Sequence, residues 1–187
     1  MASLAAETTS CSADVLQRKP DPTLLEELEA ELARIKTTSD GGKRWRVRKW
    51  LGGRQDKTAV VLANDTRLGL VALKFVATRD DATRRRFERE VAMLSRVAHP
   101  NNVAAKALGK SSSNPLASSD ETLLVAVLEY VPGNTVDHYV RTLGTMGEHM
   151  VVKIAVDVLS GLQRAHQVGV THRDVKCSNI VCEPKGL

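Results

Sequence analysis

The apolar residues of this 187-residue chain keep two different periods, each over its own stretches. Between Trp45 and Val76 they alternate or form short blocks. Trp45 and Val47 alternate with Arg46 and Arg48, Ala59 to Ala63 is a short apolar run, and Leu70 to Val76 is apolar apart from Lys74. Gly52-Gly53, and then Asn64-Asp65-Thr66-Arg67 with Gly69, punctuate these blocks, so they read as three strands joined by turns. Thr122 to Leu128 is continuously apolar, as a buried strand should be. Helical spacing holds elsewhere. It links Leu24, Leu25, Leu28, Leu32 and Ile35; then Phe87, Glu90, Val91, Leu94, Val97 and Ala98; then Val151, Ile154, Ala155, Val158, Leu159, Leu162 and Ala165.

Three polar features depart from these patterns. Period two puts Ala72 and Lys74 on one face of the third strand. Glu90 falls inside the apolar stripe of its helix, where a carboxylate is costly unless it is paired. Thr171 to Asn179, between the last helix and the short apolar run Ile180-Val181-Cys182, is too short for a regular element and reads as a loop. That loop holds a carboxylate (Asp174), an ammonium (Lys176) and an amide (Asn179) within six residues. A carboxylate can orient a hydroxyl and take its proton, an ammonium can neutralise phosphate charge, and an amide oxygen can hold Mg²⁺.

Composition excludes several classes. A net charge of +5 comes largely from Lys43 to Lys49 and Arg84-Arg85-Arg86. Only Trp45 and Trp50 lie near those runs, too few for an aromatic ladder, so no nucleic-acid partner is expected. Cys11, Cys177 and Cys182 are odd in number and lack C-x-x-C spacing, which points to a reducing compartment without zinc or disulfides. No apolar run approaches membrane-spanning length, and residues 1–19 lack a signal-peptide core, so a cytoplasmic protein without a membrane partner is expected.

The loop H-R-D-x-K-x-x-N at 172–179 resembles the catalytic loop of protein kinases. Val71-Ala72-Leu73-Lys74 resembles the kinase V-A-I-K strand, and F-E-R-E-V at 87–91 followed by His99-Pro100-Asn101 is similar to the helix C region. Glu129-Tyr130-Val131-Pro132-Gly133 looks like the hinge. The resemblance implies an α+β, protein-kinase-like fold. An antiparallel small lobe with helix C and the hinge would occupy 45–131, and the first helices and catalytic loop of the helical lobe 132–187. Ahead of it, residues 1–20 read as a disordered tail and 21–36 as an amphipathic helix, with Asp21-Pro22 at its start, expected to pack on the domain that follows.

The resemblance also implies roles. Asp174 and Lys176 would be catalytic and Asn179 a Mg²⁺ ligand. Lys74, paired with Glu90, would grip the ATP phosphates, and Gly53, Val60, Ala72, Leu128, Glu129 and Val131 would surround the nucleotide. His172 would be structural, and Arg173 would pair with a phosphorylated activation loop. The substrate would be a protein carrying Ser or Thr, because Lys176, two after Asp174, is the Ser/Thr-type feature. E-Y-V-P-G-N-T and H-R-D-V-K-C-S-N look closest to kinases of mitogen-activated cascades.

Two departures favour an alternative, a catalytically inactive, truncated kinase-like binding module or fragment. Gln55 and Thr58 stand where the glycine-rich loop should have glycines, which hinders close backbone approach to phosphate. No D-F-G follows Asn179 before Leu187, and Val151 to Ala165 is accordingly expected to leave apolar surface for a protein partner. A small-molecule phosphotransferase is disfavoured, since those enzymes usually lack Lys176 and His99-Pro100-Asn101.

Overall fold

The computed structural model describes residues 2–4, 44–53, 58–111 and 122–183. Gln55, the amphipathic segment 21–36 and most of the Lys110 to Asp120 loop lie outside these residues. The elements run β1 (Ala2–Leu4), β2 (Trp45–Gly52), β3 (Thr58–Asp65), β4 (Gly69–Thr78), α1 (Asp81–Arg96), β5 (Ala105–Ser111) and β6 (Thr122–Glu129). Then follow β7 (Asn134–Thr135), α2 (Val136–Leu143), α3 (Glu148–Gln167), a 3-10 turn (Cys177–Asn179) and β8 (Ile180–Cys182). They form two compact units that divide at residues 92/93, 104/105 and 130/131.

The unit of residues 44–92 and 105–130 is built on a five-stranded antiparallel sheet in the order β2-β3-β4-β6-β5. Register places Val60 and Ala126 opposite Lys74, and Leu62 and Leu128 opposite Ala72, so these residues share a face. Phe87 and Val91 of α1 pack on that face against Val76, Leu124 and Ala126. The alternate residues form a second layer on the other face: Ala59, Val61, Ala63, Val71, Leu73, Phe75, Leu123, Val125 and Val127, with Trp45. Burial on both faces is why β6, and β4 on either side of Lys74, are apolar instead of alternating.

Polar groups lock the ends of these elements. Asp65, only 2 % exposed, closes the β3–β4 turn. Its carboxylate accepts from the backbone N–H groups of Arg67 (2.8 Å) and Leu68 (3.1 Å), from Trp45 Nε1 (2.6 Å) and from Arg44 Nε (2.8 Å). Burial works against that charge, but the donors outweigh it and hold the carboxyl below its ordinary range. Asp80 caps α1, accepting from the N–H of Ala82 (3.0 Å) and Thr83 (2.9 Å) and from the Thr83 hydroxyl (2.8 Å).

The other unit centres on Val136, Val158, Ile180 and Cys182, flanked by Tyr139, Met146, Ile154 and Leu162. Thr135 caps α2 by accepting from His138 N–H at 3.1 Å. Gly144, at φ +79°, ends that helix in a conformation that favours glycine. The segment after α1 is tied to α3 at two points. His99 Nε2 meets Ser160 Oγ at 3.3 Å, and Asn102 Nδ2 donates to the carbonyl of Gly161 at 3.1 Å. On α3, Val151, Val152, Val156 and Leu159 are 50–63 % exposed, an apolar surface of the kind the sequence leads one to expect.

Within the stretch 1–20, read as a disordered tail, Ala2–Leu4 form a strand against β8 in the three-stranded sheet β1-β8-β7, and residues 5–20 lie outside the described residues. Three residues adding to an exposed edge satisfy backbone groups without any sequence pattern to announce it. No helix among the described residues is long and apolar enough to cross a membrane.

Candidate active site

Lys74 is 8 % exposed, on the face of β4 that α1 covers. Its Nζ donates to Glu90 Oε1 at 2.8 Å and lies 5.8 Å from the centre of the Phe87 ring. The sheet fixes Lys74 through Val60 and Ala126 on either side, and α1 fixes Glu90 between Phe87 and Val91. Desolvation raises the cost of each charge, most for the more deeply buried Lys74, and the partner offsets it. The ammonium is thus held in an orientation that a surface lysine would lack. Phe87 completes this environment, a contact legible only as one more apolar residue of the helical stripe.

The second cluster lies in the loop between α3 and β8. Asp174 Oδ2 accepts from Lys176 Nζ at 2.7 Å and from Asn179 Nδ2 at 2.9 Å. Asn179 Nδ2 also donates to the Asp174 carbonyl at 2.9 Å, and Asn179 is 1 % exposed. The 3-10 turn at Cys177–Asn179, closed by Asn179 N–H on Lys176 O at 2.9 Å, brings Asn179 back to Asp174. The bond from Lys176, joined by that from Asn179, holds the Asp174 carboxyl below the ordinary carboxylate range. Asp174 is therefore a fixed, ionised acceptor at neutral pH.

Backbone geometry supports the same group. The Asp174 N–H donates to His172 Nδ1 at 3.2 Å, so the His172 ring braces the main chain. Between them Arg173 has φ +65°, the left-handed region that a side chain of this size adopts at a cost. The positive φ of Arg173 has no local sequence signature.

The remaining positions are distributed as follows. Ala72 lies opposite Leu128 in the sheet, on the face that carries Lys74. Glu129 ends β6 and is exposed, and Val131 follows in irregular backbone, half-buried. Gly53 lies at φ +105°, and a Cβ there would come 2.7 Å from the Thr58 carbonyl oxygen, so the β2–β3 connection requires glycine at that point. Thr58, where the family pattern calls for glycine, is the first residue of β3 and pairs with Val76.

The family pattern described as protein kinase domain matches residues 52–187, most of the chain. The chain belongs to the protein kinase family. Relatives include the serine/threonine-protein kinase pkn3 of Myxococcus xanthus, 35% identical over 66% of this chain and 21% of that protein. Serine/threonine-protein kinase PksC of Streptomyces coelicolor is 32% identical over 78% of this chain and 27% of its own length. A mitogen-activated protein kinase kinase kinase 3 of Arabidopsis thaliana is 29% identical over 54% of this chain and 14% of its own. This kinase-family chain thus spans only 17% to 27% of the length of these bacterial relatives. The five-stranded sheet with α1, and the helices leading into the 172–179 loop, are the small lobe and the start of the large lobe of that fold.

The donor set can be tested against Mg²⁺. No group of three or more His, Cys, Asp or Glu that could hold a metal occurs among the described residues. Mg²⁺ usually keeps several waters and binds through one or two protein ligands plus substrate phosphates, so the Asn179 amide beside the ionised Asp174 suits it. When bound, Mg²⁺ neutralises phosphate charge.

Proposed function

We propose that this kinase-family chain carries the machinery of ATP-dependent phosphoryl transfer to serine or threonine hydroxyls of a protein substrate. The observation that carries the reading is the Asp174 cluster. A carboxylate held at 2.7 Å by Lys176 and at 2.9 Å by Asn179 is ionised and fixed in direction, which suits it to receive a hydroxyl. In this reading Asp174 orients the substrate hydroxyl and accepts its proton as oxygen attacks the γ-phosphorus, while the bond from that phosphorus to the β–γ bridging oxygen breaks and ADP leaves. Lys176 stabilises the transferred charge, and Asn179 supplies an oxygen to Mg²⁺. Lys74, held by Glu90, binds the α- and β-phosphates. Val60, Ala72 and Leu128 contact the adenine, the main chain of Glu129 and Val131 bonds its edge, and Gly53 lies over the phosphates. The Ser/Thr assignment is supported by Lys176 and by the names of the relatives. The exposed thiol of Cys177 and the buried one of Cys182, both free, suit a reducing, cytoplasmic setting.

A second reading, a kinase-like binding module, is favoured by one observation. Thr58 puts a side chain at the start of β3 where phosphate-binding backbone would need glycine. Incubation of the purified chain with labelled ATP, Mg²⁺ and a generic protein substrate separates the two, with Asp174→Asn in parallel. Label that depends on Asp174 is expected. Equal label from both proteins would refute catalysis by this chain.

A further inference from the structure

Gly133 takes no part in the chemistry proposed above, yet its place in the backbone excludes other residues. It is exposed, so burial sets no limit on it. Main-chain geometry does. Its φ is +133°, in the region that favours glycine. A Cβ there would collide with the carbonyl oxygen of Cys182 and lie 2.9 Å from that carbonyl's carbon and 3.3 Å from Glu183 Cα. All three are main-chain atoms, so no side chain can swing aside.

The strand it meets is itself held. Ile180 and Cys182 of β8 are buried with Val136 and Val158, and Asn134 and Thr135, which follow Gly133, pair with Cys182 and Val181. The contact therefore joins two stretches far apart in sequence. Val131, two residues before Gly133, is read above as bonding the edge of the adenine through its main chain. Asn179, three residues before Cys182, is 1 % exposed, bonds Asp174 and is read as the Mg²⁺ ligand.

We infer that Gly133 is a positioning residue of the proposed nucleotide site: its close main-chain approach to Cys182 sets the separation of Val131 and Asn179. The inference deepens the phosphoryl-transfer reading and rests on it. Two residues of extended chain reach about 7 Å and three about 10 Å, so a shift at the contact passes to both ends with little slack. Room for a Cβ requires β8 and the segment at Gly133 to part by about an ångström, and a misplacement of that size can cost about a hundredfold.

Gly144 supplies the control. Its φ is also positive, +79°, but a Cβ there would meet nothing within 4 Å. Gly144→Ala thus carries a backbone cost without the collision. Both variants are made in the full chain. Without nucleotide, amides of Asn179 and of 180–182 are expected to exchange at least about tenfold faster in Gly133→Ala and as in wild type in Gly144→Ala. The Kd for Mg-ATP is expected to rise at least about tenfold in Gly133→Ala alone.

Wild-type exchange and affinity in Gly133→Ala would overturn the inference. Faster exchange with unchanged affinity would reduce the contact to strand packing, and equal loss of affinity in both variants would reduce it to general destabilisation. Each overturns it as well. A wild-type chain that binds no Mg-ATP would instead sink the phosphoryl-transfer reading, and the inference with it. Should Gly133→Ala fail to fold, the native chain decides. Saturating Mg-ATP is expected to slow exchange at 133–135 and at 180–182 together, and protection missing from either stretch would overturn the inference.

Discussion

Lys74 and Glu90 depend on each other, and substitution exposes that dependence unequally. Lys74→Met fills the site with a chain of similar length but leaves Glu90, with its side chain 24 % exposed, facing apolar neighbours. Its carboxylate can still turn toward water, so the cost in stability is expected near 1 kcal/mol. If the chain phosphorylates protein, the same change removes a fixed cation from the nucleotide phosphates, and activity should fall at least about a hundredfold. Urea titration and the labelled-ATP assay on one preparation check the two parts separately. Asp65 differs because it has no route to water, with its side chain 0 % exposed. Asp65→Asn keeps the shape but removes the charge from four donors, at an expected cost of about 3 kcal/mol at pH 7. Its folded carboxyl lies below the ordinary 3.8. Its stabilisation is therefore complete above about pH 4 and is lost as pH falls through the lower folded value. The stability difference between wild type and variant should shrink below that pH, as urea midpoints measured from pH 7 to pH 2 would show.

At the scale of elements, Gly161 sets two effects against each other. Alanine in the middle of α3 gains about 1 kcal/mol of helix propensity over glycine. A Cβ at Gly161, however, would lie 2.5 Å from Asn102 Oδ1 and 3.3 Å from the Asn101 carbonyl. Asn102 would have to swing away and give up its bond to the Gly161 carbonyl. The lost packing and hydrogen bond outweigh propensity, so Gly161→Ala should lower thermal stability, whereas Gly161→Ala with Asn102→Ala should recover part of the loss. Neither residue was legible as a tie, because 59 residues separate them and no local period connects the two. The Lys74–Glu90 pair was legible for the opposite reason. A charge inside a helical apolar stripe is anomalous by itself, and the resemblance to kinases named Lys74, 16 residues earlier, as its partner. The β7–β8 pairing escaped sequence reading as well, since two residues are too few to show alternation. Asp65 could be read as a turn residue but not as the partner of Trp45, which lies across a strand pair.

Across the whole molecule, the two units differ in how much apolar structure they enclose. The sheet unit has two buried layers, with Phe75, Leu73, Leu123 and Leu124 among its fully buried side chains. Among the described residues, the core of the helical unit gathers Val136, Val158, Ile180 and Cys182, and one side of its longest helix, at Val152, Val156 and Leu159, is more than half exposed. Local opening free energy follows buried apolar contact, so the units should not open together. Amides of β3, β4 and β6 are expected to exchange more slowly than those of α2 and of the first turns of α3, which pulsed hydrogen exchange with mass spectrometry resolves. Replacement of Leu159 by lysine bears on the same point. At 63 % exposure it contributes little to folding, so Leu159→Lys should change stability by less than about 0.5 kcal/mol while reducing self-association on concentration. A large loss of stability would show instead that this face is covered in the isolated chain, and slow exchange in α3 would then accompany it.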